Sequence, residues 1–197
     1  MIRLHRLYAL IAIAAVLSAC ATGPGGESTF DYRLLDDRES GLAYAVRFAS
    51  EVRAPEHRAQ YLLEISKNYA ELGKTGEARA VQGFVREVIA ASGENAPVSP
   101  VAVELAKVYL EQGRTEQAAG MLESAVERIA GLSSPLEQAK VLQEIINLSF
   151  ENGDELFDVL RSAIEAVFVI EDLNRRVEIL VDAVERYQAG GVQQTAN

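Results

Sequence analysis

The stretch that decides the fold is SPVAVELAKVYLEQGRTEQAAGMLESAVERIA, residues 99–130. Its apolar residues recur three and four positions apart, the spacing that places side chains on one face of an α-helix, as in Ala102, Leu105, Ala106 and Tyr109. Gly113 interrupts this pattern, and a second helical pattern starts directly after it. Glycine ends helices readily because it adopts the left-handed conformation of the terminating residue at no cost. Residues 99–130 therefore predict two helices joined by a tight turn, an antiparallel hairpin.

The hairpin pattern recurs along the chain with a period of about 40 residues, within the range of known helical repeats. Tyrosine or serine, with glycine at the fourth position after it, holds the same two places in each copy: Tyr69 and Gly73, Tyr109 and Gly113, Ser149 and Gly153, and, after a slightly shorter spacing, Tyr187 and Gly191. One hairpin cannot bury its own apolar stripe, so stacked neighbours must supply the core. The sequence predicts an all-α protein, an α-solenoid of antiparallel helix hairpins with about eight helices. An irregular helical bundle is the alternative.

Helix boundaries follow from the residues that begin and end helices. Thr75, Thr115 and Asp154 come soon after the repeat glycines and are expected to cap the second helices of the hairpins. Ser134 with Glu137 has the spacing of a capping box. The predicted helices span residues 38–53, 55–72, 75–92, 99–112, 115–130, 135–152, 154–170 and 173–189.

Residues 99–130 also resemble tetratricopeptide repeats, whose signature spacings match Ala102, Leu105, Ala106, Tyr109, Gly113, Ala118, Leu122 and Ala125. The match in residues 59–90 is weaker beyond Ala78, and the third copy has Ser149 where the family has tyrosine. The family period is about 34 residues, whereas the period of this chain is about 40. The resemblance implies a tetratricopeptide-like solenoid, but the family's superhelical twist cannot be assumed.

Residues 1–20 have the parts of a secretory signal in the required order. A basic start at residues 1–6 precedes an unbroken apolar run, residues 7–17, which is shorter than the roughly 20 residues that a membrane-spanning helix needs. The tetrapeptide Leu17-Ser18-Ala19-Cys20 follows and resembles the lipobox of bacterial lipoproteins. The alternatives are an ordinary signal peptide, or a buried helix that carries a chance cysteine. Cys20 is the single cysteine of the sequence, so it has no partner there for a disulfide.

The lipobox resemblance implies a domain organisation and a location. Residues 1–19 are a signal peptide, residues 20–37 a lipidated N-terminus and flexible tether, residues 38–189 the helical-repeat domain and residues 190–197 a disordered tail. Cys20 would carry covalent diacylglycerol and N-acyl lipid, with palmitate among its chains. Ala21 stands where an aspartate would retain an enterobacterial lipoprotein at the inner membrane. The expected location is therefore the cell envelope, at the outer membrane facing the periplasm.

Charge and composition exclude several functions. Removal of residues 1–19 takes away Arg3 and Arg6, which leaves 17 of the 19 basic residues against 29 acidic ones, a net charge of −12. Such a surface repels phosphates, so nucleic acid is not an expected partner. The remaining His57 and the lipidated Cys20 cannot form a zinc site, and no nucleophile-elbow motif accompanies His57. We expect no catalytic residue, no metal and no cofactor besides the lipid.

Polar donors recur at one position of the first helices. Lys67, Lys107 and Asn147 are each separated by one repeat period, and Gln60 and Lys140 lie one or two turns earlier on the same predicted side. Such a line of ammonium and amide donors is suited to the carboxylate or backbone of a peptide. The alternative is that these residues are solvated surface side chains.

These features together predict a non-enzymatic, membrane-anchored scaffold that binds an envelope protein or peptide during the assembly or maintenance of an envelope complex. The alternative is a ligand-binding accessory lipoprotein of a transport system, with an apolar cavity among the helices. An envelope hydrolase is a third possibility, for which no catalytic group can be named.

Overall fold

Eight α-helices account for most of the chain that the structure, a computed structural model, describes, namely residues 30–35 and 40–194. The helices are α1 Gly41–Ser50, α2 Pro55–Glu71, α3 Thr75–Ala91, α4 Ser99–Glu111, α5 Thr115–Glu127, α6 Pro135–Asn152, α7 Phe157–Ala166 and α8 Leu173–Gln194. Short 3-10 turns lie at Tyr32–Leu34, Ile129–Gly131, Gly153–Leu156 and Val167–Val169. The described residues contain no β-strand, which confirms the all-α prediction.

The helices pack as successive hairpins. Helix α2 lies against α3, α4 against α5, and α6 against α7. The first helices of these hairpins form a row in the order α2, α4, α6 and α8, each in contact with the next, and α1 packs on α2 at the start of the row. A single cluster of buried apolar side chains runs through all of these units. The helical-repeat character that the sequence predicts is therefore confirmed.

The repeat glycines terminate the first helices as predicted. Gly73 and Gly113 have φ angles of +74° and +67°. The Gly113 amide donates to the carbonyl of Leu110 at 2.9 Å, and the Arg114 amide donates to the carbonyl of Tyr109 at 2.8 Å. The amides at the equivalent positions of the preceding repeat, Gly73 and Lys74, make the same two hydrogen bonds. This is the Schellman arrangement, which satisfies two carbonyls at the end of the helix and reverses the chain within a short turn.

The predicted capping residues are wrong. Thr75 and Thr115 are the first helical residues of α3 and α5, and the residues before them make no side-chain cap hydrogen bond. The Schellman turn is so short that the cap position falls on Lys74 and Arg114 rather than on the threonines. Ser134 precedes α6 without a side-chain cap, so the capping box does not form. Asp154 lies in a 3-10 turn, and α7 begins at Phe157, later than predicted.

Both ends of the repeat domain differ from their predicted bounds. Helix α1 begins at Gly41, where Ser40 Oγ accepts a hydrogen bond from the Ala43 amide at 3.1 Å. Phe30 and Leu35, which the sequence assigns to the tether, are buried in the core. The tether prediction is therefore wrong for residues 30–35. Burial of the two apolar side chains stabilises this segment by more than the loss of its conformational entropy costs.

The last helix, α8, continues to Gln194, past the predicted end at residue 189, so the backbone of residues 190–194 is helical rather than a frayed tail. The signal peptide, Cys20 and the remainder of the tether and tail lie outside the described residues.

Replacement of Gly113 by alanine should lower the free energy of unfolding by roughly 1–2 kcal/mol, because an L-residue is strained at positive φ. No atom lies within 4 Å of the position of the added methyl group, so the cost is conformational rather than steric. Gly120, an exposed residue inside α5, is the matched control, and Gly120→Ala should instead stabilise the helix by about 0.5–1 kcal/mol. Urea denaturation measures both changes; equal effects of the two substitutions would contradict the turn assignment.

Candidate functional site: a charged row and an apolar groove

The predicted donor residues lie along the row of first helices. Lys67 is on α2, Lys107 on α4 and Asn147 on α6, and each side chain is half-buried. Gln60 and Lys140 are exposed on α2 and α6. The repeat spacing therefore does bring the three equivalent positions onto successive neighbouring helices.

The two lysines are held by glutamates of their own chain. Lys67 Nζ lies 3.1 Å from a carboxylate oxygen of Glu64 and 3.7 Å from one of Glu104 on the next first helix. Lys107 Nζ lies 2.8 Å from Glu104 and forms a further ion pair with Glu144 on α6. Acid and base thus alternate across α2, α4 and α6. The name charged row is used below for Glu64, Lys67, Glu104, Lys107 and Glu144.

The pKa values of the charged row reflect this alternation. The hydrogen bond from Lys107 is the largest influence on Glu104 and lowers the pKa of its carboxyl, against the opposing effect of partial burial. Burial disfavours the charged form of Lys107, but hydrogen bonds and attraction from Glu104 and Glu144 outweigh it and raise the pKa of Lys107. Both residues are therefore charged at neutral pH, and each stabilises the other.

The series of lysines ends at α6, where Asn147 occupies the repeat position of Lys67 and Lys107. Gln143 Nε2 donates to Asn147 Oδ1 at 3.3 Å and also contacts Asp182 on α8. A polar groove of about 420 Å³ lies here between α6 and α8, and Lys140 and Asn147 are among its lining residues together with Arg175 and Glu178. Two of the five predicted donors therefore share a groove, while Gln60, Lys67 and Lys107 lie outside its lining.

The glutamates are the part of the charged row that the donor hypothesis missed. Lys67 and Lys107 each have a glutamate three positions before them, and the glutamates repeat with the same period as the lysines. That spacing is a signal for ion pairs within a helix. The ion pairs between neighbouring helices could not be predicted without the geometry in which the helices stack. The lysines are thus part of the helix packing, and partner binding through this face stays a prediction.

A second groove is larger and apolar, with a volume of about 810 Å³. One wall is α7, with Phe157, Leu160 and Ile164, and the other is α8, with Val184 and Tyr187 among its residues. The groove is open to solvent rather than enclosed, because Phe157 is 59%, Val184 55% and Tyr187 71% exposed. The lining is mostly apolar, with Arg161, Glu165 and Gln188 as its polar residues.

The repeat explains why this groove is open. Tyr187 occupies the repeat position of Tyr69, Tyr109 and Ser149, which are all almost completely buried. In those three copies a second helix folds back against the first helix. No second helix follows α8 within the described residues. Tyr187 does not pack between helices as its repeat equivalents do, because no helix of the described chain covers it.

His57, which the sequence analysis considered for catalysis, lies outside the lining of both grooves. His57 is exposed on α2, with its ring centroid 6.4 Å from that of Tyr61. Among the described residues, no group of three or more histidine, cysteine, aspartate or glutamate side chains is arranged to hold a metal ion. Within the same residues, no helix is both long and apolar enough to cross a membrane.

Comparison with known proteins gives no relative for this chain: no family model, no curated protein and no solved structure matches it.

Replacement of both Lys67 and Lys107 by glutamate should lower the free energy of unfolding by about 2 kcal/mol, because it removes the ion pairs of the charged row and places two further carboxylates among Glu64, Glu104 and Glu144. The control is Lys140→Glu, at an exposed lysine outside the row, with an expected loss below about 0.5 kcal/mol. Urea denaturation at low salt measures both; a double variant as stable as the wild type would show that the row contributes nothing to the fold.

The charged row should also make stability depend on pH in the acid range. The pKa of Glu104 is lower in the folded than in the unfolded chain, so its contribution is complete above the unfolded value of about 4.5 and is lost as the pH falls through the folded value. The wild type should exceed Glu104→Gln in stability by about 0.5–1 kcal/mol at pH 7 and by less at pH 3. Urea midpoints at both pH values test this, and a difference that does not change with pH would refute it.

Proposed function

We propose that this chain is a lipid-anchored, non-enzymatic scaffold of the bacterial cell envelope that faces the periplasm and binds other envelope proteins. The open apolar groove between α7 and α8 is the observation that carries the proposal. Its side chains are more than half exposed at several positions, and its walls are the faces of two helices. Helical faces of this kind bind other helices.

A ligand-binding accessory lipoprotein is the second candidate, and the groove volume of about 810 Å³ is the observation that favours it. Ligand pockets have volumes of roughly 300–1,000 Å³, but they bury most of the ligand surface. Here the strong exposure of Phe157 and Tyr187 leaves one side of any small apolar ligand in water. The open shape therefore favours a protein partner over a small ligand.

The position of the anchor fits the scaffold. Phe30 follows Cys20 by ten positions, a separation of at most about 36 Å when the chain is fully extended. The Phe30 ring packs on Phe84 of α3, with 5.1 Å between their centroids. A lipid on Cys20 would therefore hold the end of the row that contains α1–α3, and would leave the groove between α7 and α8 at the other end for partners.

The lipid is tested by Cys20→Ala in cells grown with labelled palmitate. The wild type should incorporate the label and sediment with membranes, whereas the variant should do neither, because no other cysteine is present in the sequence. The matched control is Cys20→Ala with Ser28→Cys, which restores a thiol away from the lipobox and should also remain unlabelled. Labelling of the control, or membrane association of the unlabelled variant, would contradict the lipobox assignment.

A further inference from the structure

We infer that the end of the row formed by the 3-10 segment Tyr32–Leu34 and helix α1 lies on the lipid surface that holds Cys20. The exposed rings of Tyr44 and Phe48 then sit at the boundary between the headgroups and the acyl chains. The inference rests on the proposed lipid anchor and deepens it, because it names the surface of the folded domain that meets the bilayer. It does not involve the charged row or the two grooves beside α8.

The length of the anchor chain decides which part of the domain reaches the bilayer. Ten positions separate Cys20 from the buried Phe30, and a flexible chain of that length has a root-mean-square span of roughly 16–19 Å. Packed helices lie about 8–10 Å apart, so the row from α2 through α4 and α6 carries α8 roughly 25–30 Å further from the anchored end. The end that contains α1 is therefore the one that a short tether brings against the membrane.

Large apolar side chains are exposed at this end and not in the middle of the row. Tyr44 is 49% and Phe48 67% exposed on α1, and Leu34 is 55% exposed in the 3-10 segment. Residues 73–135, which include α3, α4 and α5, contain no exposed large apolar side chain. The exposed rings are thus a local feature of the domain end nearest to the anchor.

The two faces of α1 differ in what they contact. Ala43, Val46 and Ala49 are buried in the core, whereas Tyr44 and Phe48 lie on the outer face, four positions apart. The solvent face of a helix is ordinarily polar, so two neighbouring rings there indicate a contact that the described chain does not supply. A membrane boundary supplies it, because a tyrosine or phenylalanine ring is apolar and the tyrosine hydroxyl stays among the headgroups.

A hollow of about 490 Å³ lies beside these rings, between the 3-10 segment and α1. Tyr32 and Leu35 line one side of it, and Tyr44 and Arg47 line the other. The Tyr32 hydroxyl lies 2.9 Å from Ser50 Oγ, which holds the two sides together. Arg47 forms no ion pair within the described residues, so its guanidinium is suited to the phosphate of a lipid headgroup that enters the hollow.

Net charge does not hold this end to the bilayer. The described charges of the 3-10 segment, of α1 and of their flanking residues balance, namely Arg33 and Arg47 against Asp31 and Glu51. Residues 36–39 add three acidic residues and one basic residue in the sequence. The contact is therefore an apolar one, made by rings with an uncharged lipid surface, and not the attraction of a basic patch to an anionic surface.

The sequence contains no tryptophan, so a single introduced tryptophan reports its own surroundings. The test places Phe48→Trp in the full lipidated chain, reconstituted in phosphatidylcholine vesicles with and without bromine on the acyl chains. Bromine should lower its emission by about half or more, because a ring buried roughly 5–10 Å into the boundary lies near the bromine atoms. The matched control is Phe168→Trp, at a phenylalanine 66% exposed after α7, whose emission bromine should leave unchanged.

A second pair of variants separates the contact from the local fold. Leu34→Trp reports from the 3-10 segment and should also be quenched. Adding Tyr44→Glu and Phe48→Glu should abolish this quenching, because carboxylates do not enter the acyl boundary, while helix content should stay the same at these exposed positions. The control adds Phe168→Glu and Val169→Glu instead and should leave the quenching unchanged. Full quenching in the first glutamate variant would overturn the inference.

The other outcomes separate failure of the inference from failure of the proposed anchor. A lipidated chain that stays on the vesicles while neither Phe48→Trp nor Leu34→Trp is quenched would overturn the inference and leave the anchor supported. Equal quenching of Phe48→Trp and Phe168→Trp would also overturn it, because neither end of the row would then be preferred. A chain that carries no lipid and does not associate with vesicles would overturn both. The vesicles contain no other protein, so quenching at either reporter can only come from lipid.

Discussion

Each first helix carries, four residues before its repeat glycine, a side chain that is buried only where a second helix packs over it. The rest of the architecture depends on this contact. Tyr69, Tyr109 and Ser149 make it, since each is at most 1% exposed. Their hairpins turn tightly at a glycine with positive φ, which brings the second helix across the first. No single hairpin has enough apolar surface for a core of its own, so the units stack and share one. Tyr187 occupies the same repeat position, but no helix of the described chain covers it, and its side chain is exposed to solvent.

This contact makes the two ends of the row unequal. At the first end, α1 packs on α2, and Phe30 and Leu35 are buried in the core. The Tyr32 hydroxyl lies within hydrogen-bonding distance of Ser50 Oγ, at 2.9 Å. At the other end, α8 has several exposed apolar side chains that no helix of the described chain covers. The proposed anchor at Cys20 would be attached at the covered end. The proposed division of labour, with attachment at one end and recognition at the other, follows from this asymmetry.

Sequence reasoning predicted the features that depend on local periodicity. The helices, the hairpin repeat and the glycine turns follow from apolar spacing and from the conformational freedom of Gly73 and Gly113. The features that depend on stacking were missed. Glu104 joins lysines of two helices, and Phe30 docks in a segment whose composition resembles a tether. The open groove was missed because its two walls, α7 and α8, are brought together only by the stacking of the hairpins.

Amide hydrogen exchange along the free protein tests the central claim most directly, that one apolar face of α8 is uncovered in the described chain. Exchange reports the local free energy of opening, which falls where few apolar contacts hold a helix. Amides in the middle of α8 should exchange roughly tenfold or more faster than those at the equivalent repeat positions of α4 and α6. Protection of α8 equal to that of α4 and α6 would contradict the account, because a helix with an uncovered face would then be as stable as a covered one.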